Sequence, residues 1–218
     1  MEKEELMFQI EMPYKKQIAY LLKKYGCAKY DYFYTKTCKS KNSKVSRTQE
    51  GLYCHHIRED VALCLCEPNF AIKYPFEYQK AENLVYCNLL EHLVLHVKIS
   101  LMNTHVDFAP GVYYISQDIN DMFKTNGELC RWQQRCFLEI QNNYCEYLQI
   151  LVLAIDRLKK ITQEYYDSFD INEEIEAKIE LLCCGRNKVF YKNIATDLKM
   201  FLSVFEAEER PNPLPQEE

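Results

Sequence analysis

Two short stretches decide how this chain reads: Tyr53-Cys54-His55-His56-Ile57, and Glu82-Asn83-Leu84-Val85-Tyr86-Cys87-Asn88-Leu89-Leu90-Glu91-His92-Leu93-Val94-Leu95-His96. The protein has five histidines, and four of them lie here. Gly51 to Ile57 reads as a strand that ends in a histidine pair, and strand side chains alternate, so His55 and His56 point to opposite sides. Glu82 to Cys87 reads as a second strand that turns at Asn88 into a helix from Leu89 to about Ser100. The apolar stripe of that helix is Leu89, Leu90, Leu93, Val94 and Val97. His92 and His96 stand four apart on it, with Cβ atoms roughly 5–6 Å from each other, a spacing that suits two imidazoles on one metal ion. The plain alternative is a packed, hydrogen-bonded pair of core histidines. The His-Glu-x-x-His metalloprotease pattern is excluded: Glu91 precedes the first histidine and Leu93-Val94-Leu95 fills the gap, so no glutamate base stands between the two.

The intervals taken together, a His-His pair, an Asn, eight residues, then His-x-x-x-His, resemble the HNH (ββα-metal, His-Me finger) endonucleases. The nearest variant is that of the colicin-type DNases. The resemblance covers about a fifth of the chain and rests on Asn83-Leu84, on the Asn83-to-His92 interval and on the His92-to-His96 interval. It implies a ββα-metal core, with His55, His92 and His96 as ligands of one divalent ion and His56 as general base on the attacking water. An imidazole, with a pKa near 6.5, suits that task. Asn83 would bridge backbone groups and keep the base-bearing strand oriented. Three imidazoles favour Zn²⁺, Mn²⁺ or Ni²⁺ on softness grounds, whereas the family commonly works with Mg²⁺. The zinc ribbon that braces many HNH domains is missing: Cys87 takes the first of its positions, but Glu91 stands at the second. The segment Arg58 to Glu82 is longer than the compact loop of the colicin-type enzymes. Glu59 and Asp60 follow the histidine pair, where the family often has an acidic residue ahead of it.

Composition bounds the rest. The chain has 218 residues, 48% hydrophobic and 27% charged, which describes an ordinary globular protein. No apolar run reaches the roughly 18–20 residues of a membrane span, and Met1 to Glu5 is charged and leads into no signal-peptide core. Eleven cysteines without a Cys-x-x-Cys fit reduced thiols in a cytosol better than a secreted disulfide scaffold. The net charge of −5 is unevenly spread: residues 1–50 carry eleven Lys/Arg against six Asp/Glu, and residues 101–218 carry twelve against twenty. Nucleic acid, DNA or else RNA, would therefore meet the front half. The polar stretch Thr35 to Thr48 holds Lys36, Lys39, Lys41, Lys44 and Arg47. It reads either as a phosphate-contacting loop or as a solvated linker.

Ahead of that loop, Met7 to Tyr25 has a helical pattern with Pro13 near its first turn, and Tyr30 to Tyr34 alternates like a strand. Beyond His96, Met102 to Gly127 reads as a connector containing His105, which has no partner at ligand spacing. Glu128 to about Thr162 reads as one long helix that Asn142-Asn143 loosens. Ile171 to Cys184 is a helix capped by Asn172, and Tyr191 to Phe205 is another. The tail from Glu206 is acidic, proline-rich and expected to be disordered. These signals predict an α+β fold: an N-terminal helix and basic loop (1–50), an HNH-like core (51–100), a mainly helical region (101–205) and the tail (206–218). The C-terminal helices form either a plain core or a surface for a homodimer or protein partner. The rival to a nuclease is a non-catalytic nucleic-acid- or protein-binding module that keeps the HNH fold and a structural metal. A further rival is a helical interaction protein with incidental histidines.

Overall fold

The computed structural model describes residues 3–102, 110–124, 129–165 and 171–208. It is mixed α+β, with a small antiparallel pair of strands set among helices. Strand β1 (Tyr53–His56) pairs with β2 (Leu84–Cys87) so that His55 lies opposite Val85 and His56 opposite Leu84. Helix α4 (Leu89–Met102) follows β2 directly.

Helix α4 is buried almost all round, and such a helix belongs in the middle of a protein. Leu89, Leu90, Leu93, Val94 and Val97 join the main core, while Leu95 and Ile99 pack against Tyr14, Ile18, Leu21 and Val85. Its start is held by a reciprocal cap. The Glu91 backbone N–H donates to Asn88 Oδ1 at 2.9 Å, and the Asn88 N–H donates to Glu91 Oε2 at 2.8 Å, so two otherwise orphaned donors are satisfied. Glu91 also accepts from Lys24 Nζ at 2.8 Å and Gln9 Nε2 at 2.9 Å. Glu91 thus locks the two N-terminal helices onto α4.

Those N-terminal helices are α1 (Lys3–Glu11) and α2 (Tyr14–Tyr25). The single helix expected over Met7 to Tyr25 is broken ahead of Pro13, whose ring cannot continue a helix from the preceding turn. Tyr30 to Tyr34 is not a strand: it makes only an isolated bridge, Phe33 to Lys41. The long 58–82 segment folds as 3₁₀ turns and a one-turn helix, α3 (Pro68–Ala71).

The region expected to be a connector contains a helix, α5 (Pro110–Lys124), amphipathic through Val112, Ile115, Ile119 and Met122. The expected long helix is two, α6 (Arg131–Leu138) and α7 (Tyr144–Tyr165), because the chain turns over residues 139–143. Helix α8 (Ile171–Leu182) starts one residue before Asn172, which therefore lies in the first turn and not at the cap; α9 (Lys192–Glu208) follows. Leu6, the α4 stripe and the buried faces of α5, α7, α8 and α9 share one core. His105 and the tail beyond residue 208 lie outside the described residues. Among the described residues no helix is long and apolar enough to cross a membrane, and all eleven cysteines are free thiols.

Candidate metal centre

His55 is delivered by β1 and His92 and His96 by α4, and one ring nitrogen of each lies within 4.8 Å of the others. His55 and His96 are buried and His92 is half-buried. The His92 and His96 Nε2 atoms face each other at 3.2 Å. Burial, with the neighbouring imidazoles adding to it, holds His55 and His92 well below the usual histidine range, and burial lowers His96 to about 4. At neutral pH all three rings are therefore neutral, which is the form that ligates metals.

Glu59, in the 3₁₀ turn that follows β1 (Ile57–Asp60), brings a buried carboxylate to the same place. Its Oε2 lies 3.2 Å from His96 Nε2 and 3.5 Å from His55 Nδ1, and its Oε1 accepts from the Leu65 N–H at 3.1 Å. Burial pushes the carboxyl up to about 7. The sequence marked Glu59 only as an acidic neighbour of the pair. A turn that carries a residue four places on, back over the strand end, has no signature in periodicity.

The wiring of His55 fixes its tautomer. The Tyr14 hydroxyl donates to the Ile57 carbonyl at 2.9 Å, so towards His55 Nε2, 3.0 Å away, it can only accept. The proton of His55 is therefore on Nε2, and Nδ1 is a bare lone pair. That Nδ1 is buried and makes no hydrogen bond. Such an orphaned acceptor is costly to leave unmade, and the residues present fit a divalent cation.

His56 lies on the other side of β1, as alternation requires. Its Nε2 is 2.8 Å from Gln79 Oε1, and its ring packs against Tyr32 with centroids 4.4 Å apart. Gln79 is fully buried and its Nε2 donates to the Leu65 carbonyl at 3.2 Å. This fixes the amide so that its oxygen faces His56; the ring is protonated on Nε2, and Nδ1 is left as the acceptor. Burial lowers His56 to about 4.

A cavity of about 600 Å³ connects these groups: His55, His56, Glu59, His92 and His96 all line it. Helix α5 supplies the facing wall through Gly111, Tyr114 and Asp118, and Arg186 joins it from the turn after α8. Arg186 is paired in bidentate fashion with Asp118. Neither α5 nor Arg186 figures in the sequence-derived site.

Asn83 stands apart from the histidines: its Nδ2 donates to the Glu77 carbonyl at 2.8 Å, bracing the loop that precedes β2. Of the five basic residues, Lys41 is paired with a residue that lines the cavity. It lies 3.6 Å from Glu67, a cavity residue, and 5.7 Å from the Tyr32 ring that stacks on His56. Lys44 sits over Tyr30, and Lys36 and Lys39 are exposed. Arg47 is committed to the fold: it donates to both Glu50 carboxylate oxygens and to the Tyr25 carbonyl, and it covers the Tyr86 ring. No family model, curated protein or solved structure matches the chain.

Proposed function

We propose that this protein is a divalent-metal-dependent phosphodiester hydrolase of the HNH type, acting on DNA or on RNA. The observation that carries the reading is the convergence of His55 from β1 with His92 and His96 from α4, with His56, from the other side of β1, lining the same cavity. Strand β1 supplies the first two histidines and helix α4 the last two, with β2 paired to β1 and leading into α4; that chain order is the one the HNH resemblance implies.

When bound, the ion supplies Lewis-acid stabilisation to the charge that builds on the phosphate and on the leaving oxygen. Imidazole nitrogens from His55, His92 and His96 hold it. Tyr14 orients His55 by accepting a hydrogen bond from its Nε2–H, the kind of outer partner that fixes ligand tautomer. His56 Nδ1 takes the proton of the attacking water, and Gln79 keeps that nitrogen free by accepting from Nε2. Its low pKa keeps His56 unprotonated throughout the neutral range, at some loss of basicity. Lys41 is the side chain placed to meet a phosphate next to His56. Asn83 holds the loop ahead of β2.

The alternative, a binding module with a structural metal, is favoured by one observation: His55 and His96 are buried beneath α5. Plasmid nicking separates the two. Purified protein is assayed with EDTA, then with Mg²⁺, Mn²⁺, Zn²⁺ or Ni²⁺, beside His56→Ala and His92→Ala. The hydrolase reading expects metal-dependent cutting, lost in His56→Ala with metal still bound and lost in His92→Ala together with the metal. Cutting by His56→Ala at the parent rate would remove His56 from its role. Metal uptake without cutting under any of these ions would favour the binding module.

A further inference from the structure

The geometry assigns Glu59 as the fourth protein ligand, making the centre a three-histidine, one-carboxylate site for a first-row transition ion. The inference rests on the reading of the three histidines as metal ligands and not on the nuclease chemistry.

Distances support it first. Four ligands held at about 2.0–2.2 Å from a common ion in a tetrahedron stand about 3.3–3.6 Å from one another, and somewhat closer in an octahedron. Three of the six separations have that size: 3.2 Å for His92 Nε2 to His96 Nε2, 3.2 Å for His96 Nε2 to Glu59 Oε2 and 3.5 Å for Glu59 Oε2 to His55 Nδ1; the three histidine nitrogens as a set lie within 4.8 Å of one another. Glu59 thus closes a coordination edge between the strand histidine and a helix histidine.

Hydrogen-bond bookkeeping supports it independently. His55 Nδ1 is a lone pair because Tyr14 accepts from Nε2; it faces Glu59 Oε2 at 3.5 Å and makes no hydrogen bond. With the carboxyl ionised the two are acceptors face to face, and a cation placed between them would satisfy both. The second oxygen of Glu59 is already satisfied by the Leu65 amide, which leaves Oε2 as the atom presented to the site. A buried carboxylate with one oxygen tethered and the other free is preorganised as a monodentate ligand. Adding one anionic oxygen to three imidazoles suits Zn²⁺, Mn²⁺ or Fe²⁺ better than Mg²⁺, which prefers oxygen ligands and retained water.

The test is a Co²⁺ titration of the full-length protein followed by its visible absorption, with Zn²⁺ competition to obtain affinities, for the parent, Glu59→Gln and Glu59→Asp. Gln keeps the size and the acceptor for Leu65 while removing the charge. The expected result is a loss of affinity of at least about 100-fold in Glu59→Gln, beyond the 10–100-fold typical of an outer-shell change, with an altered Co²⁺ band and partial recovery in Glu59→Asp. Zn²⁺-loaded crystals of the parent should show Glu59 Oε2 about 2.0–2.2 Å from the ion, a check that holds even where the variants fail to fold. An unchanged affinity and band in Glu59→Gln, or a carboxylate more than about 3 Å from the ion, would overturn the assignment and leave the three histidines as ligands. No Co²⁺ uptake by the parent would overturn both.

Discussion

Gly111→Ala tests whether α5 helps to shape the candidate metal centre. A Cβ built on Gly111 would lie 2.6 Å from His96 Cγ and closer still to Nδ1 and Cε1, where ordinary contact begins near 3.4 Å. The ring must therefore move by roughly 1 Å. It has Glu59 and His92 in front of it, each at 3.2 Å, so the displacement drives the His96 ring into the histidine cluster. Overpacking of this kind costs about 1–3 kcal/mol, and the better helix propensity of Ala returns up to about 1 kcal/mol. The apo variant should be destabilised by about 0–3 kcal/mol, or up to about 12 °C in Tm for a chain of this size.

The larger effect is on metal linkage. At free Zn²⁺ equal to 100 times the parent Kd, binding adds about 2.7 kcal/mol, a rise of roughly 5–11 °C. If the shifted ring weakens binding about 100-fold, the same Zn²⁺ adds only about 0.4 kcal/mol and a rise of roughly 1–2 °C. The assay is differential scanning fluorimetry with EDTA and with Zn²⁺ at that fixed concentration. A Zn²⁺-induced rise in Gly111→Ala equal to that of the parent would refute the claim that α5 seats His96.

Other consequences follow from the same contacts. Tyr14→Phe removes the acceptor for His55 Nε2–H, so metal affinity should fall about 10–100-fold in a Zn²⁺ competition titration, and an unchanged Kd would deny Tyr14 that role. Gln79→Leu leaves His56 Nε2 and the Leu65 carbonyl without partners; it should lower kcat with the metal Kd unchanged, while Gln79→Glu, which keeps an acceptor, should restore much of the rate. In EDTA, acid should lower Tm between about pH 6.5 and 4. His55, His56, His92 and His96 all titrate lower in the folded protein than their ordinary value of 6.5, so the unfolded chain binds more protons in that window and stability rises with pH. Glu59, raised to about 7, pulls the opposite way as one group against four. A Tm that climbs on acidification would show that the histidines are not held neutral by the fold.

The local signals carried far. The strand pair, the helix after Asn88 and the placing of His55 and His56 on opposite sides of β1 are all legible in residues 51–100, because alternation and helical spacing are properties of neighbouring residues. The i, i+4 spacing of His92 and His96 is likewise enough to put both rings on one helix face. The breaks around Pro13 and residues 139–143 were softer: the apolar period runs through both, and the chain bends where tertiary packing needs it to.

What the sequence by itself determined, then, is the mixed α+β composition and the set of imidazoles available to one ion. What only the tertiary structure decided is everything those imidazoles meet. Glu59 reaches them because a 3₁₀ turn folds back over the end of β1. Tyr14 and Gln79, 41 residues before His55 and 23 after His56, set the tautomers. Helix α5, which the sequence presents as a connector, closes the cavity and presses its Gly111 against His96. Apart from the approach of Glu59 to His55 within one local turn, each of these is a contact between segments distant in the chain, and no periodicity along the sequence encodes which buried lone pair will face which carboxylate.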